Sequence, residues 1–172
     1  MDFAGYLQKG ILILQLDTEA IREVYRDEDA LIPAILFVAL GGIAGGVGQF
    51  SFQGMILGVF LMTLVSFVIV GLLHVLARIF GGTATFLELY RPLGTAAPLH
   101  WVLVVPFIGP FLGFLAMLYS FVVTVKVVET AGELPRPKAL AVVTLLFGLC
   151  LFLSLVFLAI MGSLLLLRAV FG

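Results

Sequence analysis

Three stretches of this chain, residues 31–47, 55–79 and 139–167, run for 17 positions or more with a single formal charge among them, Arg78 at the exit of the second. An apolar run of that length matches a helix crossing a hydrocarbon core of about 30 Å, where the backbone must satisfy its own hydrogen bonds. The expected fold is therefore an all-α integral membrane protein. Composition agrees: 63% of the 172 residues are hydrophobic and 11% are charged, at a mean hydropathy of +1.28, which leaves no length for a soluble catalytic module. A net charge of −1 offers no electrostatic footprint for nucleic acid. The one cysteine, Cys150, lies inside an apolar run and carries no redox information. The run at 11–14 is too short for the core of a cleavable signal.

The stretch 97–125 is harder to read, because VVPFIGPFLG places Pro106 and Pro110 in its middle with Gly109 between them. Each proline removes a backbone donor and crowds the preceding turn, so the pair reads as a break between a short span and a full one. The expected spans are then 31–48, 54–79, 97–107, 110–128 and 139–167, with Pro98, Pro106 and Pro110 as hinge residues and the third span short or re-entrant. Charge favours five over four. Five spans with the N-terminus inside put eight of the nine basic residues on the cytoplasmic side, all but Arg168, whereas four spans divide them six to three. The C-terminus is then expected on the opposite side.

Residues 1–29 differ in kind from the membrane domain of 30–172. Phe3, Leu7, Ile11, Leu14, Thr18, Ile21 and Tyr25 recur at helical spacing, with Gln8, Gln15, Glu19, Arg22, Glu23 and Arg26 mostly off that stripe. This predicts an N-terminal amphipathic interfacial helix, or two, with Asp17 or Thr18 as the cap of the second. It packs on lipid, on its own bundle or on a partner.

Patterns that carry chemistry are missing: no phosphate loop, no paired histidines at metal spacing, no nucleophile elbow. No acidic residue falls within an expected span, which weighs against proton- or cation-coupled transport. No enzyme, metal or cofactor is expected. The glycines instead form small-xxx-small pairs, Gly41 with Gly45, Gly42 with Gly46, Gly54 with Gly58 and Gly109 with Gly113, which suit close packing of spans. His74 and Arg78 share a helical face near the end of the second span, where the arginine can reach lipid phosphates. His100 and Trp101 read as anchors at headgroup level. Lys126 can pair with Glu129 one turn on, Gly132 can end that helix, and Pro135 and Pro137 keep the following linker extended.

Between the second and third spans the chain reads GGTATFLELYRPLGTAAPLH, residues 81–100. Gly81 and Gly82 end the span, Phe86, Leu87 and Tyr90 lay a short turn on the membrane, and Pro92 to Pro98 send the chain back in. Glu88 and Arg91, three apart, read first as a local ion pair and otherwise as partner contacts. Candidate partner or headgroup contacts are thus Glu88, Arg91, Arg78, His74 and Lys126.

In order along the chain, Gly81, Gly82, Phe86, Arg91, Gly94, Pro98, Pro106, Gly109, Glu129, Lys138 and Ala139 resemble the motif series of the Yip (Ypt-interacting protein) domain family, over about residues 30–165. The resemblance implies five spans and a cytoplasmic N-terminus. Eukaryotic members are implicated in vesicle traffic through Rab-type GTPases and through one another. They carry a long cytosolic N-terminal region, whereas about 30 residues precede the first span here, and Thr95 stands where an aromatic is often found. The short form is similar to bacterial and archaeal members, which implies a prokaryotic cytoplasmic membrane.

Three functions follow as expectations. The first is a non-enzymatic adaptor or accessory subunit, whose partners are lipids and other integral membrane proteins, in a larger complex or a homo-oligomer. The second is passive lipid or small-solute handling through a groove at the broken third and fourth spans, and the third is a vesicle-traffic factor binding Rab-type GTPases.

Overall fold

The structure is a computed structural model; it describes residues 2–171, and side chains over 2–164. Arg168, on which the charge tally depends, lies outside the described side chains. The described residues form seven α-helices: α1 Phe3–Leu14, α2 Thr18–Arg26, α3 Leu31–Gly48, α4 Phe52–Ile79, α5 Phe86–Thr95, α6 Gly109–Ala131 and α7 Arg136–Phe171. A 3-10 turn, Glu28–Ala30, leads into α3, and a 3-10 segment, Ala97–Val104, separates α5 from α6. Four helices, beginning at Glu28, Phe52, Gly109 and Arg136, are long and apolar enough to cross a membrane.

Local chemistry explains the helix ends. Asp17 caps α2 by accepting from the amides of Glu19 (2.8 Å) and Ala20 (2.9 Å), and Ser51 caps α4 by accepting from Gly54 (2.9 Å). After α4 the chain closes a Schellman turn: Gly82 N–H donates to Ala77 and Gly81 N–H to Arg78, with Gly81 at φ +93°. Leu16 and Phe50 fill the same left-handed position after α1 and α3, where glycine costs least. Two prolines sit at tolerant sites, while Pro92 falls inside α5. Pro110 is in the first turn of α6, whose amides have no intrahelical acceptor, and Pro137 opens α7 instead of extending a linker.

Helix directions follow from which ends meet. Gly42 of α3 abuts the Gly58 carbonyl of α4, and Gly46 abuts Met55, so α3 and α4 form a tight antiparallel hairpin. The Thr83 N–H, just after α4, donates to the Gly132 carbonyl at the end of α6 (3.2 Å), and Lys138 Nζ at the start of α7 donates to Phe80 (3.2 Å). The beginning of α6 lies at the other end, where Gly109 and Gly113 pack on Leu103, which itself abuts Gly48. Hence α4 and α6 run in the same direction, and α7 opposes both. The chain returns between α4 and α6 along α3: Gly94 meets Ala34, Trp101 Nε1 donates to the Phe37 carbonyl (3.0 Å), His100 and Trp101 face Gly41, and Leu103 reaches Gly48. Those partners on α3 cover about 21 Å at 1.5 Å per residue.

Several expectations change here. The third span, 97–107, is a 3-10 helix of eight residues followed by a turn in which Phe107 takes φ 65°. His100 and Trp101 face inward against α3 rather than anchoring at headgroups, because the indole N–H finds a carbonyl there. Phe86 and Tyr90 do not lie on a surface; they stack with Phe67 of α4 at 5.9 and 4.5 Å between centroids, and Tyr90 is fully buried. Among the paired glycines, Gly42, Gly46 and Gly58 sit at backbone contacts, Gly41 at ordinary van der Waals distance, and Gly54 beside Ser51. Gly45 opens on empty space, and Gly109 and Gly113 serve the Leu103 contact rather than a facing helix.

Candidate functional site

The N-terminal arm, α1 and α2, folds against one end of the bundle. Ile13, Ala20, Ile21 and Val24 are buried in the main core with Leu89 of α5 and Val127 and Val128 of α6, while Glu19, Arg22, Glu23 and Arg26 point outward. Polar contacts pin the arm. Tyr6 donates to the Asp27 carboxylate at 2.7 Å, Tyr119 of α6 donates to the Leu14 carbonyl, and Lys9 pairs with Glu23 at 3.3 Å. Burial and then the Asp27 carboxylate push the Tyr6 phenol up to about 12.

Arg91 makes the most unusual contact. It is 9% exposed and its Nη1 donates to the Tyr25 carbonyl at 2.9 Å, in the last turn of α2, where the helix dipole favours a cation. Its Nε is buried without a partner. The expected Glu88–Arg91 ion pair does not form, because both groups are engaged elsewhere. Glu88 completes a capping box on α5: its carboxylate accepts from the Thr85 amide (2.6 Å), and Thr85 Oγ1 accepts from the Glu88 amide (3.3 Å).

Of the remaining candidates, Arg78 is exposed at the end of α4 and His74 is half-buried with Nδ1 unpartnered, so the two do not form a unit. Lys126 pairs with Glu129 at 3.8 Å. That pair belongs to a larger feature, a cleft of about 950 Å³ between α2 and the end of α6. Glu19, Arg22, Glu23 and Arg26 form one wall; Lys126, Glu129 and Glu133 form the other. Arg22 is held by Glu19 at 2.9 Å, and Glu133 accepts from Thr83 at 3.3 Å. Arg26 lies over the Tyr25 ring, 5.4 Å from its centroid, and has no carboxylate partner among the described residues. Of the residues that line this cleft, the sequence marks Lys126 alone as a candidate contact. The outward charges of α2 were legible, but their neighbours on α6 are about 100 positions away.

The other end of the molecule has no formal charge among the described side chains. Its short turns expose Phe50 and Phe107, the latter 91% accessible. The cleft, with ionic groups of both signs on two walls and open to solvent, can hold a charged polypeptide segment.

Residues 11–165 match the family model described as the Yip1 domain. No curated protein and no solved structure matches the chain.

Proposed function

The chain belongs to the Yip1 domain family, and from that premise we propose that it is a non-enzymatic multi-pass adaptor or accessory subunit, binding a cytoplasmic segment of another integral membrane protein in the cleft between α2 and α6. It is an integral membrane protein with four candidate membrane-spanning helices. The proposed topology has five crossings, the composite of α5 and the 3-10 segment being the third, with the arm inside. The shared direction of α4 and α6 supports it, since the chain must return between them. So does the clustering of Lys9, Arg22, Arg26, Arg78, Arg91, Lys126, Arg136 and Lys138 at the arm end.

The observation that carries the adaptor reading is the cleft itself. A solvated stack of surface ion pairs contributes about 0–1 kcal/mol each to stability, so seven charged side chains across two elements are a weak way to hold α2 down. Charged and polar groups arranged on two facing walls give specificity for a complementary segment instead. A photoreactive residue at Thr130, in the cleft, is expected to capture a discrete second membrane protein in native membranes. The double reversal Arg26→Glu, Glu133→Lys should reduce that band at least tenfold, with the protein still folded. Adducts only to lipid, or to a further copy of this chain, would refute the reading.

A further inference from the structure

A second cavity, of about 700 Å³, lies between α4, the α5 and 3-10 composite, α6 and α7. Its walls include Val65, Ile69, Leu118, Phe147 and Leu151, and no Asp, Glu, Lys or Arg among the described residues lines it. Of the hydroxyls on its lining, those of Ser66, Ser120, Thr124 and Ser154 are engaged within the protein, and that of Thr144 has no partner among the described residues. Ser66 Oγ donates to Thr63 (2.7 Å) and faces Tyr90 Oη at 3.0 Å; Ser120 Oγ donates to Ala116 (2.9 Å) with His100 Nε2 at 3.4 Å; Thr124 donates to Ser120 (2.7 Å). A polar ligand would find few free partners there, and an ion none of the opposite charge.

The cavity has a side opening. On α4 the tightly buried positions begin at Val70, and on α7 they stop at Leu146, beyond which α7 is almost wholly exposed. The helices therefore meet at the arm end and part toward the other. The volume falls in the ~300–1,000 Å³ range of small-molecule sites, and apolar walls left without a neighbour forgo the dispersion contacts that close packing supplies. Water does not fill apolar walls of this kind. The surrounding medium of an integral membrane protein supplies the remaining candidate, hydrocarbon.

We propose that this cavity holds one acyl chain of a bilayer phospholipid, inserted sideways between α4, α6 and α7. Recognition is of the chain and not the headgroup, because the lining offers shape and apolar contact but no charge. The proposal is independent of the cleft's partner.

The test uses the full chain reconstituted in phosphatidylcholine vesicles that contain a phospholipid with a diazirine in one acyl chain. After irradiation, adducts are mapped by peptide mass spectrometry. Any lipid-facing residue, such as Leu61 at 56% exposure, is labelled by surrounding lipid. Val70 and Thr124, at 5% and 8%, line the cavity and are labelled only if a chain enters. Adducts are expected at both inner positions, equally with phosphatidylglycerol as carrier. Gly148→Trp, at a lining position where an added Cβ meets no atom within 4 Å, should reduce them at least fivefold while Leu61 labelling is unchanged. If that variant is not monodisperse, Thr144→Trp replaces it. Labelling confined to exposed residues, inner labelling insensitive to both variants, or inner labelling that depends on headgroup overturns the proposal.

Discussion

Gly42→Leu is expected to abolish the folded protein, while Gly45→Leu, one turn further along α3, leaves it intact. A side chain at Gly42 would overlap the carbonyl carbon and oxygen of Gly58, and one at Gly58 would overlap the Gly42 carbonyl. The obstruction on both sides is backbone, so no rotamer change relieves it; α3 and α4 must separate. Overpacking a close contact costs about 1–3 kcal/mol where side chains can shift, and more where the clash is with main chain. That is a large share of the ~5–15 kcal/mol that holds a domain together. Gly45 has no atom within 4 Å of its would-be Cβ, so a leucine there meets lipid. Size-exclusion profiles and thermal melts in mild detergent decide it: a lost monodisperse peak for Gly42→Leu beside an unchanged one for Gly45→Leu. Equal behaviour of the two variants would remove the glycine contact from the account.

Arg91→Ala is expected to release the N-terminal arm without unfolding the bundle. The substitution deletes the bond to the Tyr25 carbonyl and leaves that group buried and unpaired, a loss of about 1.5–3 kcal/mol for a charge-assisted hydrogen bond. Protease should then cut between residues 15 and 30 under conditions where the native chain resists. Arg91→Lys rescues poorly, since an ammonium cannot reproduce the guanidinium's reach. The second clasp, Tyr6 to Asp27, adds an alkaline dependence. The phenol's folded value, about 12, is above the ordinary 10.0, so its contribution is complete below pH 10 and is lost as pH rises toward 12. Tyr6→Phe should remove that step in arm cleavage. An arm equally resistant in Arg91→Ala and wild type contradicts the latch.

The long spans were legible because apolar length is a local property. Residues 31–48 were expected and α3 is Leu31–Gly48; 54–79 became Phe52–Ile79, the two extra residues following from the Ser51 cap. At α7 the start moved from 139 to Arg136, because Pro137 is tolerated in a first helical turn. Glu88 carries a readable signal, since Thr85-Phe-Leu-Glu88 has the Thr-x-x-Glu pattern of a capping box, and its carboxylate is engaged there and not with Arg91. Other features had no sequence signal. Arg91 reaching Tyr25, Trp101 reaching Phe37, and the cleft joining Arg26 to Glu133 each depend on tertiary packing across 60 residues or more. The acyl-chain cavity is likewise a property of where α7 parts from α4, which no single helix records.

In the proposed topology, five crossings put the arm and the α6–α7 turn on the same membrane face, so that together they make the cleft. Single cysteines at Arg22, Gln49, Phe107 and Glu133, in a Cys150→Ser background, can be labelled with a membrane-impermeant maleimide in sealed vesicles of known orientation. The account predicts labelling of Gln49 and Phe107 from one side and of Arg22 and Glu133 from the cytoplasmic side. Labelling of Glu133 from the same side as Gln49 would contradict it.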